Sequence, residues 1–421
     1  MPAQDVLVIG LGYVGLPLAV QAALAGFRVT GYDTSAEIAA GLNAGRSHVD
    51  DVSGEQVGAA RARGFRATAD EAGIGPQDVI VICVPTPLSE ADGPDLSAVR
   101  AAAEAAGRLL RPGTLVSLES TTYPGTTDEV VRPLLEKTSG LTAGIDFSLV
   151  FSPERIDPGN PEYGLVNTPK IVGGVTPSCA DAAVAFYGAI CEQVVRAASA
   201  REAEMAKLLE NTYRHVNIAL VNEMAVFCRE LGVDLHDAIR CAATKPFGFA
   251  PFYPGPGVGG HCIPIDPNYL SYKVRTLGYP FRFVELAQEI NGRMPGYVTE
   301  RAAELLNRNA QPVNGARVLL LGVTYKKDIA DQRESPARPI ARKLRARGAA
   351  VAYHDPYVPA WQVEGQDVPR AADLQAAVAA ADLVIVLQAH REYDLGSIAA
   401  TARLLLDTRG VVPNTPSVEA L

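Results

Sequence analysis

Short apolar runs rich in β-branched residues alternate with Ala-rich stretches through the first part of the chain. "DVLVIG" (5–10), "RVTGYD" (28–33), "DVIVICVPTP" (78–87), "TLVSLEST" (114–121) and "FSLVFSP" (147–153) are each bounded by Gly, Pro or Asp. Near-continuous hydrophobic strands separated by helices predict a parallel sheet covered on both faces. Near residue 199 the pattern changes. Ser199 and Glu202 have the spacing of a capping box. Met205, Leu208, Leu209, Val216, Ala219, Leu220, Met224 and Phe227 then recur at three- and four-residue steps, with no Gly or Pro before Leu231. The spacing predicts one long helix, a spine between domains or a packing surface for a second subunit. A further helical stretch is expected over 281–308. After "NAQPVNG" (309–315), strand–helix alternation resumes with "ARVLLLGVTY", "AAVAYHDP", "ADLVIVLQ" and "RLLLDTRG". The fold class is therefore α/β: two Rossmann-like doubly wound domains, 1–198 and 309–421, joined by a central helical domain, 199–308.

Composition adds exclusions. The chain has 421 residues, 48% of them hydrophobic and 20% charged, with a formal net charge of −9. That acidity argues against nucleic acid or an anionic membrane as the partner, while leaving room for a locally basic pocket. The six cysteines are scattered without CxxC pairs or disulfide-framework spacing. No apolar run approaches membrane-spanning length, and no leader pattern opens the sequence, so a reducing cytoplasm is expected. No metal-ligand cluster stands out.

The candidate chemistry lies in four places. Gly10, Gly12 and Gly15, with Tyr13 and Val14 between them, form G-x-G-x-x-G directly after a strand and before a helix, and Asp33 ends the next strand. The glycines let a pyrophosphate approach the helix N-terminus, and Asp33 would accept from ribose hydroxyls, which favours NAD over NADP. On the long helix, Glu204, Lys207 and Asn211 share one face. A solvated stripe is the plainer reading of that face, and an oxyanion or phosphate site is the sharper one. "GPGVGGHCIPIDP" (255–267) sets Cys262 among glycines and prolines, with Pro264 suited to the first turn of a helix and Asp266 four residues on. His261 beside it is a weaker candidate base, because adjacent side chains point apart. Finally, "ESTTYPGTT" and "FSPERIDPGN" follow strands, which places Thr121 and Glu154 at the carboxyl ends where ligands of open α/β sheets gather.

"GLGYVGLPLA", "STTYPGTT", "FSPERIDPGN", "KLLENTYRHVNIALVNE", "PFYPGPGVGGHCIPIDP" and "YKKDIADQRESP" occur in that order. With these motifs the chain resembles the UDP-glucose/GDP-mannose dehydrogenase family from residue 4 to about 410. The resemblance implies oxidation of the C6 alcohol of a UDP-sugar to the acid with two NAD in succession. It implies that Cys262 captures the intermediate aldehyde as a thiohemiacetal that becomes a thioester. Lys207 and Asn211 would stabilise oxyanions, Asp266 and Glu154 would move protons and activate water, and Thr121 would position that water. Pro85, Thr86 and Arg333 would contact NAD. Arg155, Phe252, Tyr253, Gly257, Gly259 and Lys326 would line the substrate pocket, and the long helix would make a homodimer or larger homo-oligomer. "ERIDPGN" and "CIPID", with Ile265 where lysine is common, are more similar to the subgroup acting on UDP-N-acetylhexosamines, especially UDP-N-acetylglucosamine. Ile38 departs from the basic residue often found near the adenosine end.

UDP-glucose and UDP-N-acetylmannosamine are the alternative substrates. Two other readings compete. A two-electron dehydrogenase of the hydroxyacid type would need neither the thiol nor a second nucleotide domain. A nucleotide-sugar-binding regulator would bind without producing NADH.

Overall fold

A computed structural model describes residues 4–88, 93–157, 159–260 and 263–421. The chain packs as two compact units, Met1–Glu210 with Asn268–Pro280, and Asn211–Pro267 with Phe281–Leu421.

The first unit is built on β1 (Asp5–Ile9), β2 (Arg28–Tyr32), β3 (Arg66–Thr68), β4 (Val79–Ile82), β5 (Leu115–Leu118), β6 (Ser148–Phe151), β7 (Lys170–Gly174) and β8 (Val194–Arg196). They lie in the order 3-2-1-4-5-6-7-8. Every neighbouring pair is parallel except β6 and β7. The order reverses between β1 and β4, the switch point at which such sheets bind ligands. Successive side chains of a strand enter opposite cores. Val6, Val8, Val79 and Val81 pack into one apolar cluster, and Leu7, Ile9, Ile80 and Ile82 into another. A strand buried on both faces has no polar alternation to show, and these runs show none. The five expected strands are present. β3, β7 and β8 are short or flanked by polar residues and carried no comparable signal.

The second unit holds β9 (Arg317–Leu321), β10 (Ala350–His354), a small antiparallel hairpin of β11 (Gln362–Val363) and β12 (Gln366–Asp367), then β13 (Leu383–Val386), β14 (Leu405–Asp407) and β15 (Val418–Ala420). Its parallel sheet runs 10-9-13-14-15, so its crevice opens between β9 and β13. The two-faced logic recurs. Val318, Leu320, Leu383 and Ile385 fill one core, and Leu319, Leu321, Val384 and Val386 the other.

The expected long helix is Ala200–Glu230, and the stretch expected over 281–308 is Arg282–Arg308. Ser199 Oγ accepts from the Arg201 N–H and meets the Glu202 carboxylate at 2.5 Å, which fixes the start of the long helix. Leu235–Ala242 and Asp266–Thr276 are additional helices. Among the described residues, no helix is long and apolar enough to cross a membrane.

Candidate functional site

The three glycines of the first turn are required for different reasons. Gly10 has φ +91°, and a Cβ on it would lie 2.7 Å from the Cys83 carbonyl oxygen. A Cβ on Gly15 would lie 1.9 Å from the Gly10 carbonyl oxygen. A Cβ on Gly12 would meet nothing within 4 Å. The chain's own packing therefore demands the first and third glycines but not the second, whose bare face fits the close approach of a ligand pyrophosphate to the helix Gly15–Leu24. Tyr13 and Val14 complete the turn, with Tyr13 exposed. Asp33 is aimed at the same turn. Its Oδ2 accepts from the Leu11 N–H at 3.0 Å and its Oδ1 from the Ser35 N–H at 2.9 Å. Ile38 packs on the neighbouring apolar core, so no cation stands at that position. These residues fit a dinucleotide, and they yield a paired prediction. Gly12→Ala is expected to keep the wild-type Tm but weaken NAD binding at least about tenfold, whereas Gly15→Ala lowers Tm by several degrees, a cost of about 1–3 kcal/mol for forced overpacking. Calorimetry and NAD titration of the two variants check it; equal effects on both readouts contradict it.

The loops after β4, β5 and β6 carry the next group. Thr86 is buried and its hydroxyl donates to the Thr121 carbonyl at 2.8 Å, tying two predicted residues together beside exposed Pro85. Glu154 is buried, and its Oε1 accepts from the Arg155 and Ile156 N–H groups, both at 2.6 Å. Its Oε2 is buried without a hydrogen bond. The Arg155 guanidinium reaches the long helix instead of open space, pairing with Glu210 at 2.6 Å and donating to the Pro169 carbonyl.

The solvated-stripe reading of the long helix is corrected by burial. Glu204 is fully buried, and Lys207 and Asn211 are 8% and 9% exposed. Glu204 accepts from the Gly125 N–H, the Thr127 N–H and the Thr127 hydroxyl, which fixes the loop that follows Thr121. Burial pushes its carboxyl up to about 7 against the pull of those donors. A carboxyl raised in the folded state stabilises the fold fully below its unfolded value and progressively less as pH rises from about 4.5 to about 7. Glu204→Gln is therefore expected to flatten the pH dependence of stability across that window by at most about 3 kcal/mol. Urea unfolding of both proteins at pH 5 and pH 8 measures it, and parallel curves would contradict it.

Within the second unit, Asn211 Nδ2 donates to Asp266 Oδ2 at 2.5 Å, and Asp266 is 2% exposed. Asp266 opens the helix Asp266–Thr276. Residues 263–265 form a turn, so the helix begins after Pro264 and not at it. His261 and Cys262 lie outside the described residues. Residues 255–260 are pinned at several points. The Gly255 N–H donates to Asn222 Oδ1 at 2.9 Å, and Asn222 Nδ2 donates to Asn291 Oδ1 at 2.9 Å. Gly257 takes φ +136°. A Cβ on Gly259 would meet both the Glu334 carbonyl oxygen and Tyr325 Cβ at 2.7 Å. The Gly260 N–H reaches the Arg333 carbonyl at 3.0 Å. Phe252 packs edge-on against Tyr213, and Tyr253 stacks on His236. Half-buried Lys326 stands in the loop after β9, where the Thr324 hydroxyl donates to its carbonyl at 2.7 Å. The Arg333 guanidinium closes on the neighbouring Asp331.

The second sheet repeats the device of the first turn. The Gly322 N–H reaches the His354 carbonyl, as the Gly10 N–H reaches that of Tyr32, and Asp355 accepts from the Val323 N–H at 2.7 Å. Here the acid is sealed. The Asp328 N–H donates to His390 Nδ1, which leaves Nε2–H to donate to Asp355 at 3.1 Å. An acid engaged in this way does not offer itself to a ribose.

Sequence reading missed Asn222, Asn291 and Arg409. Arg409 donates to the Leu387 carbonyl at 2.7 Å and lies against Gly255; burial lowers its guanidinium to about 10, still charged at neutral pH. The stripe of Lys207 and Asn211 continues through buried His215 to Asn222, and that run of polar residues at helical spacing was a readable signal.

A glycine turn at the switch point with an acid aimed at it fits a dinucleotide-binding domain, here beside a second parallel sheet whose matching acid is engaged by His390. Comparison with known proteins specifies it further. The NAD binding, central and UDP binding domains of the UDP-glucose/GDP-mannose dehydrogenase family match residues 4–191, 201–293 and 319–414. A UDP-N-acetyl-D-glucosamine 6-dehydrogenase of Pseudomonas aeruginosa is 38% identical over 86% of this chain and 84% of its own. A solved UDP-D-ManNAc dehydrogenase from Pyrococcus horikoshii superposes with TM-score 0.90 at 32% identity, covering 99% of this chain and 98% of that one. A UDP-glucose dehydrogenase from Pyrobaculum islandicum reaches TM-score 0.87 at 28% identity, covering 99% and 96%. The chain belongs to the UDP-glucose/GDP-mannose dehydrogenase family and is an NAD-dependent nucleotide-sugar dehydrogenase.

Proposed function

We propose that the protein oxidises the C6 alcohol of a UDP-N-acetylhexosamine, UDP-N-acetylglucosamine foremost, to the uronic acid in a four-electron reaction. The observation that supports the oxidation chemistry is the buried hydrogen bond from Asn211 to Asp266, a residue four past Cys262 in sequence. A buried amide and carboxylate joined at 2.5 Å form a preorganised polar pair of the kind that steadies developing charge and moves a proton. The Gly10–Gly15 turn and Asp33, with Pro85, Thr86, Thr121 and Arg333, would hold NAD, which would supply the hydride acceptor for each oxidation.

The chain's own residues do the remainder. Lys207 and Asn211 steady the oxygen at C6 as charge develops on it. Cys262, as thiolate, adds to the aldehyde carbon, so the half-oxidised sugar stays covalently bound. Asp266 takes the proton of the C6 hydroxyl as the first hydride leaves, returns it to that oxygen when the thiolate adds, and takes it again as the second hydride leaves. Glu154, with Thr121 positioning the water, draws off a proton as hydroxyl adds to the thioester and the Cys262 thiolate departs. Arg155, Phe252, Tyr253, Gly257, Gly259 and Lys326 serve the nucleotide sugar, and residues 1–198, 199–308 and 309–421 act as cofactor, central and UDP-sugar parts. The UDP binding domain supports that last assignment. On the long helix Leu209, Tyr213, Leu220 and Phe227 are exposed apolar residues, which supports a homodimer through that helix. The cytoplasm is the proposed location.

The Pyrococcus resemblance favours UDP-N-acetylmannosamine as the second reading. NADH formation from UDP-N-acetylglucosamine, UDP-N-acetylmannosamine, UDP-glucose and their galacto epimers decides between them. The proposal expects kcat/KM for UDP-N-acetylglucosamine to exceed the others at least about tenfold. A preference for UDP-glucose would refute the acetamido assignment.

A further inference from the structure

At the carboxyl edge of the first sheet a buried ion pair, Lys170 with Glu119, which the roles above leave unused, stands beside Glu154. β7 runs antiparallel to β6, so its first residue, Lys170, lies where β5 and β6 end. Glu119 directly follows β5, and Glu154 follows β6. Lys170 Nζ is 2.8 Å from Glu119 Oε2 and 3.5 Å from Glu154 Oε2. Tyr187 donates to Glu119 Oε1 at 2.5 Å, and Ser117 Oγ is 2.8 Å from the same phenol oxygen. Lys170 is 4% exposed and Glu119 1%.

The two carboxylates are held differently. Glu119 has a hydrogen bond on each oxygen, from Tyr187 and from Lys170. Glu154 has one oxygen fixed by two backbone N–H groups, while the other is buried, without a hydrogen bond, and faces only the more distant ammonium. A carboxylate oxygen held in this way keeps a lone pair available for a water proton. Burial works against the Lys170 charge, but Glu119 and Glu154 outweigh it and hold the ammonium above its ordinary value. The other titratable neighbours, the Cys83 and Cys191 thiols and the Tyr187 phenol, are all pushed up by burial and remain neutral. Arg155, on the Glu154 loop itself, is turned to Glu210. The charge that Glu154 faces is therefore set by Lys170 and Glu119.

We propose that Lys170 is a positioning residue for the hydrolytic half of the reaction: anchored by Glu119, its ammonium faces the free Oε2 of Glu154 and aims that carboxylate to receive a proton from water. This rests on the reading of Glu154 as the water-activating group. β7 and its parallel neighbour β8 both run against β1–β6, and that reversal delivers a lysine to the carboxyl edge.

The test compares Lys170→Met, Lys170→Arg, Glu119→Gln and Glu154→Gln in the full-length enzyme, following both the first-turnover NADH burst and the steady-state rate across pH. Lys170→Met is expected to lower kcat about 10- to 100-fold with KM within about threefold, and to move the acid limb of kcat upward by about one pH unit or more. The burst, which needs no water, changes less than about threefold. Lys170→Arg restores most of the rate and the limb. Glu119→Gln removes the competing carboxylate and moves the limb downward, an outcome available even if Lys170→Met fails to fold. Burst and steady state falling together with the limb unmoved, or an unmoved limb in Glu119→Gln, would overturn the proposal and leave a purely structural ion pair. Full steady-state activity in Glu154→Gln would sink the reading of Glu154 itself, and the Lys170 proposal with it.

Discussion

Cys262→Ser is expected to abolish turnover while sparing the first oxidation. A serine hydroxyl is far less nucleophilic than a thiolate and does not form a comparable thioester. Loss of a covalent nucleophile lowers kcat by orders of magnitude, here about 10³-fold or more. The variant should still bind NAD and the nucleotide sugar with near-native Kd, because the substitution removes one sulfur and adds one oxygen. Rapid mixing should show at most one NADH per active site, followed by a stall, with aldehyde or its adduct recoverable on quenching. Continued turnover at a rate within tenfold of the native enzyme would show that this thiol is not the capturing group.

Lys207→Met carries the second large effect. Methionine, one atom shorter, keeps the unbranched apolar stem and fills nearly the same volume in the buried face of the long helix, where Lys207 is 8% exposed. What it removes is the charge. If that charge steadies the oxygen at C6 in both oxidations, kcat falls about 10²- to 10³-fold while the Kd for the nucleotide sugar changes little, since a group acting mainly in the transition state contributes mainly to kcat. Asn211→Ala should fall in the same direction and leave Asp266 without the 2.5 Å bond it now receives. Steady-state kinetics separate the outcomes. A rise in KM with kcat unchanged would assign Lys207 to ground-state binding and remove it from the chemistry.

The legibility of this protein in its sequence was uneven, and the reasons are physical. β1, β4, β9 and β13 are buried on both faces, so each appears as an uninterrupted apolar run between turn residues, and the sheets could be placed from them. Lys170 could not be read in the same way. A lysine opening a short strand looks like a surface residue, and only the antiparallel pairing of β7 with β6 brings it to Glu119 and Glu154. The stripe of Glu204, Lys207 and Asn211 was visible as a stripe, but periodicity gives a face and not what covers it. Glu204 proves to be a buried acceptor for the 125–127 loop. Arg409 and Asn291 act through contacts with residues 154 and 69–76 positions away in sequence, and local pattern has no means of announcing such pairings. The glycines were the reverse case. Gly10, Gly15, Gly257 and Gly259 were each chosen on motif grounds, and each sits where a Cβ would collide or the backbone takes a positive φ.

The most direct test of the central claim is a count. A known amount of the preferred UDP-sugar is exhausted with excess NAD, and NADH absorbance is compared with sugar acid quantified by mass spectrometry. Capture of the aldehyde on the enzyme predicts two NADH for each acid and no free aldehyde. One NADH for each molecule of substrate consumed, with aldehyde accumulating, would contradict it.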